Sequence, residues 1–157
     1  MIQSALKHFY LTHPVPNPIN ITLTQKQVVD GQRIDDEISS ANFKHFRNLL
    51  NSRLFGNAYK RHGRQLAMLV VRENSAWHRH HLHAILEKPD HLTTEEFIAL
   101  VLTCWTKTRF GYHEHHFEQP ETRDRETGWL NYLLKKRSKD DLASSIDWAN
   151  STCFERR

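Results

Sequence analysis

The stretch from Leu66 to Leu86, LAMLVVRENSAWHRHHLHAIL, decides the architecture. Leu66 to Val71 is an apolar run of six residues that turns polar at Arg72 and Glu73. This pattern predicts a central strand with Arg72 and Glu73 at its exit. Asn74 to Trp77 reads as a turn and His80 to Leu86 as the returning strand, so the two form a hairpin. Side chains alternate faces along a strand, so His81 and His83 point the same way while Leu82 enters the core.

Upstream, Ile19, Ile21 and Leu23 alternate with Asn20, Thr22 and Thr24, which predicts a half-buried strand over 19–25. Pro14, Pro16 and Pro18 make residues 11–18 extended and irregular. Between this strand and the hairpin, Phe43, Phe46, Leu50 and Leu54 share one helical face. They predict a helix over 39–55, with Ser39 or Ser40 as its cap. Gly56 to Gly63 reads as a basic loop. Downstream, Thr93 and Glu96 form a capping box. The helix that follows buries Phe97, Leu100, Val101, Cys104 and Trp105. Gly111 ends this helix or opens a strand through Phe117. Asp124 to Arg137 is a third helix, and Leu142, Ile146 and Trp148 mark a weak helical pattern in the tail. The order β-α-β-β-α-β-α predicts an α+β fold of the split β-α-β, RRM-like kind. An antiparallel sheet of about four to five strands carries helices on one face and leaves the other free.

The chain has 157 residues, the size of a single domain. We expect one domain over 1–157, with its core over about 19–137 and a tail over 138–157. A net charge of +4 is compatible with a polyanionic partner. The apolar runs are too short for a membrane span, and Met1 to His8 lack the pattern of a secretory signal. Two cysteines, Cys104 and Cys153, cannot build a disulfide framework or a zinc finger, which points to the reducing cytoplasm. The abnormal count is histidine: 12 in all, seven of them in two internal clusters, 78–83 and 113–116.

Two imidazoles at i and i+2 of a strand can hold one divalent ion. Glu73, at the end of the neighbouring strand, can reach the same ion across a tight turn. Two histidines and one carboxylate leave positions open for a substrate oxygen, as in catalytic sites. His113, Glu114 and His115 read as solvated strand residues, with a metal ligand or a DNA contact as the alternative. In the third helix Leu130, Leu133 and Leu134 form the apolar stripe. Tyr132 falls off that stripe, flanked by Lys135 and Lys136. Neighbouring cations favour a phenolate, and a phenolate beside a Lewis acid can attack a phosphodiester.

These pieces resemble the HUH endonuclease superfamily, and within it the single-tyrosine Rep-type rolling-circle replication initiators. Ile21-Thr22-Leu23-Thr24 is similar to its first motif. His81-Leu82-His83 matches the His-hydrophobic-His motif, and Tyr132-Leu133-Leu134-Lys135 matches its Tyr-x-x-Lys. The resemblance spans roughly 19–137 and implies a metal-dependent enzyme that nicks and joins single-stranded DNA or an origin hairpin. It implies Mg²⁺ or Mn²⁺ on His81, His83 and Glu73, attack by Tyr132, and a 5′-phosphotyrosine intermediate. It further implies that Lys135 orients the metal-site chemistry or neutralises developing charge, with Lys136 as a substitute. Lys60, Arg61, Arg64, Arg79 and Lys136, with Lys107 and Arg109, are the expected DNA contacts, and Trp77 or Tyr112 would stack on bases. The chain has no Walker-type Gly-Lys-Ser/Thr, so a host or separate helicase would unwind the duplex. Competing readings are a non-catalytic nucleic-acid-binding module of the same shape, a transposase or relaxase of the same superfamily, and a zinc hydrolase. A zinc hydrolase typically carries His-Glu-x-x-His on a helix, which this chain lacks.

Overall fold

The computed structural model describes residues 2–75, 78–120, 122–133 and 145–154. Its chain order is α1 (Ile2–Thr12), β1 (Pro18–Gln25), β2 (Val28–Val29), β3 (Gln32–Arg33), α2 (Asp36–Phe55), α3 (Asn57–His62), β4 (Met68–Ser75), β5 (His78–Glu87), α4 (Thr94–Thr106), β6 (Gly111–Glu118) and α5 (Arg123–Leu133). Four strands form one antiparallel sheet in the order β4-β5-β1-β6. The fold is α+β, with the split β-α-β order in β1-α2-β4-β5-α4-β6. No helix among the described residues is long and apolar enough to cross a membrane.

The inward-facing side chains of the sheet are those the alternation predicts. Ile19, Ile21 and Leu23 of β1, Met68 and Val70 of β4, and Leu82, Ala84 and Leu86 of β5 are buried in one cluster. Phe43, Phe46 and Leu50 of α2 complete it, together with Phe97, Val101 and Trp105 of α4. Trp105 stands at its centre. Its ring meets Phe46 edge-on at 5.5 Å, and its Nε1–H donates to the carbonyl of Thr24 at 3.1 Å. The core helix is therefore tied to the end of β1 that faces His81. Truncating Trp105 to alanine should cost about 3–5 kcal/mol in a urea titration, through lost burial and an unfilled cavity. Gly111 marks the tight exit from α4, since a Cβ there would lie 1.9 Å from the carbonyl oxygen of Trp105.

Local signals account for most boundaries. The capping box of Thr93 and Glu96 forms in both directions, with Glu96 N–H donating to Thr93 and Thr93 N–H donating to Glu96. Helix α2 begins at Asp36 rather than 39. Its cap is Asp35, whose carboxylate accepts from Ile38 N at 2.8 Å, while Ser39 is buried against Gln25. An aspartate at the cap with two more acidic residues in the first turn outcompetes the serines. The expected loop over 56–63 contains α3, closed by Gly63 in the left-handed region. The third helix is described from Arg123 to Leu133. The expected turn keeps Asn74 and Ser75 within β4, and residues 76 and 77 lie outside the described part.

The opposite face of the sheet is not wholly free. A second apolar cluster joins Ala67, Leu69, Val71 and Ile85 to Tyr10 and Val15, Leu130 of α5, and Ile146 and Cys153. Packing therefore continues on both sides of the expected 19–137 core. Residues 146–152 run along β4: Asp147 N donates to Val70 O, and Met68 N and Val70 N donate to Thr152 and Ser151. This covers a sheet edge that would otherwise present unpaired backbone groups.

Candidate metal centre and tyrosine

Pairing register, more than chain proximity, assembles the site. Glu73 of β4 lies opposite His81 of β5, and His81 lies opposite Thr24 of β1. One row along, Val71, His83 and Thr22 are aligned, and Thr22 continues to His116 of β6. Directly paired residues project to the same face, so Glu73, His81, His83 and Thr22 all leave the sheet on the side away from α2 and α4.

The three expected ligands converge. His83 Nε2 lies 2.5 Å from Glu73 Oε2, and His81 Nε2 lies 3.3 Å from the same oxygen. The two imidazoles meet edge-on, with centroids 4.9 Å apart. One ligand atom from each residue lies within 4.8 Å of the others, a spacing that could hold a metal ion. Two nitrogens and one carboxylate oxygen suit a divalent cation with remaining positions open to solvent or substrate. The burial is graded: His83 is buried, while His81 and Glu73 are partly exposed. The ligands therefore run from a packed base at His83 to a partly exposed rim at His81 and Glu73.

Thr22 supplies a partner that sequence reading missed as a functional residue. Its Oγ1 lies 3.1 Å from His83 Nδ1. A hydroxyl both donates and accepts. When Nε2–H donates to Glu73, Thr22 can donate to Nδ1. When Nε2 offers its lone pair to an ion, Nδ1–H can donate to Thr22. Such outer contacts fix ring orientation and tautomer. Thr22→Val should weaken Mn²⁺ binding by about tenfold to a hundredfold, read by calorimetry, with little loss of stability. The alternation of β1 already turned Thr22 away from the core. Its pairing with His83 depends on register, which no local pattern in the sequence encodes.

Tyr132 meets this group directly. Its ring centroid is 5.6 Å from that of His83, nearly perpendicular to it. Trp129, one helical turn earlier on α5, stacks on Tyr132 at 5.6 Å and meets His83 edge-on at 5.8 Å. Leu130 is fully buried between α5 and the sheet, whereas Tyr132 keeps 41% of its surface exposed. The tyrosine is off the apolar stripe, as its helical position predicts, and lies against the imidazole cluster. Trp129 was legible in principle, because residues three apart share a helix face.

The expected basic contacts divide. Lys60, Arg61 and Arg64 are exposed, but they follow α2, where Leu66 N donates to Asn51 Oδ1. Glu73 lies seven residues beyond Leu66, roughly 23 Å away at the rise of an extended strand. These three cations are therefore not brought together with the metal ligands. Lys107 and Arg109 are exposed at the C-terminal end of α4, which Trp105 ties to Thr24 and hence to the end of the sheet that holds His81. Arg109 also bonds Gln32 of the β2–β3 hairpin at 2.6 Å. Arg79 falls within β5, while Lys135, Lys136 and Trp77 lie outside the described residues. His113, His115 and His116 are exposed on the edge strand β6.

Comparison of the chain with protein families, with curated proteins and with solved structures finds no match.

Proposed function

We propose that this protein nicks and rejoins single-stranded DNA through Tyr132, and so initiates rolling-circle replication of a plasmid or phage. The observation that carries this reading is the placement of the Tyr132 ring against His83, whose Nε2 shares a Glu73 oxygen with His81. His81, His83 and Glu73 would hold Mg²⁺ or Mn²⁺. A bound ion would supply Lewis acidity to the scissile phosphate. The Tyr132 oxygen attacks phosphorus, so an O–P bond to the protein forms and the bond to the 3′ oxygen breaks. The phenolic proton is balanced by the one the departing 3′ oxygen gains. The products are a 5′-phosphotyrosine and a free 3′ hydroxyl. The phosphodiester's energy stays in the covalent link, so the reverse reaction rejoins a strand without a nucleotide cofactor.

Thr22 orients His83, and Trp129 supports the face of Tyr132. Lys107 and Arg109 share the end of the sheet with His81 but belong to the α4 side, so they would hold phosphates at a distance from the attacked position. Lys135 and Lys136 keep their proposed role in charge neutralisation. A separate helicase would open the duplex.

The test mixes full-length protein with Mn²⁺ and a 3′-labelled, random-sequence pool of single-stranded oligonucleotides. A labelled protein band should survive denaturation, and EDTA should prevent it. Binding of the pool without any covalent band would favour a non-catalytic binding module. Metal-dependent cleavage with no band, persisting in Tyr132→Phe, would favour a hydrolase.

A further inference from the structure

Helix α1 contributes no ligand to the metal group, yet it grips the helix that carries Tyr132. Tyr10 is 1% exposed, and its hydroxyl donates to Glu126 Oε1 at 2.9 Å. Burial, and then the charge of Glu126, push the Tyr10 hydroxyl well above the ordinary tyrosine range, so it remains a donor at neutral pH. Around this bond Tyr10, Val15, Leu130 and Ile146 are buried in one cluster, with Trp129 packed against it. Glu126 and Tyr132 are six residues apart on α5, about 9 Å along the axis. Apolar packing through Leu130 holds the helix down but is non-directional. A hydrogen bond to a charged acceptor is directional and strong. The two contacts restrain the rotation of α5 about its own axis, alongside the Arg125–Glu118 ion pair at 3.6 Å and the Trp129 ring against His83.

We infer that Tyr10 is a positioning residue, whose bond to Glu126 fixes the rotation of α5 so that Tyr132 stays against His83. The catalytic consequence rests on the nicking reading, while the mechanical one does not. A misplacement of about 1 Å at a reacting atom can cost a hundredfold in rate. Tyr10→Phe removes the donor and keeps the ring, and Glu126→Gln keeps a carbonyl acceptor for the Tyr10 hydroxyl.

The experiment compares full-length wild type, Tyr10→Phe and Glu126→Gln by amide hydrogen exchange, by Mn²⁺ titration and by single-turnover adduct formation with the random-sequence pool. In Tyr10→Phe, exchange in α5 should quicken about tenfold, which is the loss of one such bond. Exchange in β4 and β5 and the affinity for Mn²⁺ should stay unchanged. Adduct formation at saturating oligonucleotide should slow about tenfold to a hundredfold, with the half-saturating concentration unmoved. Glu126→Gln should stay within about threefold of wild type, the scale of a neutral bond replacing a charged one. Wild-type exchange in α5 of Tyr10→Phe would overturn the inference, as would quickened exchange with an unchanged rate. Parallel loss of Mn²⁺ binding and of protection in β4 and β5 would also overturn it, because the effect would then be general destabilisation. A wild type that forms no adduct would defeat the nicking reading, and α5 exchange alone would still decide whether Tyr10 holds the helix.

Discussion

Tyr132→Phe is expected to abolish the covalent protein–DNA band, lowering its rate of formation by about 10⁴-fold or more, the scale set by removing a covalent nucleophile. The substitution deletes one oxygen and keeps the ring. Stacking on Trp129 and the edge contact with His83 therefore persist. The ring is 41% exposed, so unfolding free energy should change by no more than about 0.5 kcal/mol. Mn²⁺ affinity should also hold, because Glu73, His81 and His83 all come from β4 and β5. A variant that is folded, binds Mn²⁺ and forms no adduct isolates the nucleophile from the metal centre. An adduct that survived would move the nucleophile elsewhere. Tyr59 is a poor substitute, since it sits on α3 beyond the far end of α2, bonded to Asn48. Tyr112 on β6, half-buried beside His113, would be the residue to mutate next.

How much of this was legible in the sequence follows from the range of the forces involved. The alternation in β1 and β5 is a local pattern, so the inward set and the shared face of His81 and His83 could be read directly. The capping box at Thr93 is equally local. The placement of Glu73 opposite His81 needed only a hairpin, where turn length and register are linked. Helix α1 lacks charge signals at its ends, with no acidic residue in its first turn and no basic one in its last, although Leu6, Tyr10 and Leu11 recur at helical spacing. Its burial depends on Leu130 and Ile146, which are distant in sequence and join it in the second cluster. The same holds for the covered edge of β4, built from polar side chains of Ser151 and Thr152 that carry no apolar periodicity. Helix α3 is one short basic turn stopped by Gly63, which hydropathy cannot distinguish from a loop. Lys60, Arg61 and Arg64 fall away from the metal ligands for a different reason. Surface cations are set by solubility as much as by a site, and proximity along the chain says nothing about which end of the sheet they occupy.

The second large effect concerns the metal, and it can be tested without DNA. At a free Mn²⁺ concentration of about one hundred times its dissociation constant, binding to the folded state alone stabilises by about 2.7 kcal/mol. For a chain of this size that corresponds to a rise in Tm of roughly 5–10 °C. His83→Ala should remove most of that rise and weaken Mn²⁺ affinity by more than about a hundredfold, a larger loss than expected for an outer contact such as Thr22. The baseline stability of the variant should also fall. His83 is 3% exposed, with Thr22 on one nitrogen and Glu73 on the other, so alanine leaves a cavity and removes a hydrogen-bond partner from each. His81→Ala separates the two effects. His81 is more exposed and meets Glu73 at the longer distance of 3.3 Å. It should lose the Mn²⁺-dependent rise while keeping nearly the wild-type Tm in EDTA. If His81→Ala and His83→Ala both retained the full rise, the ion would be binding elsewhere. The convergence of imidazoles on Glu73 would then be an ordinary polar contact on the sheet, and the Lewis acid would have to be sought away from Tyr132.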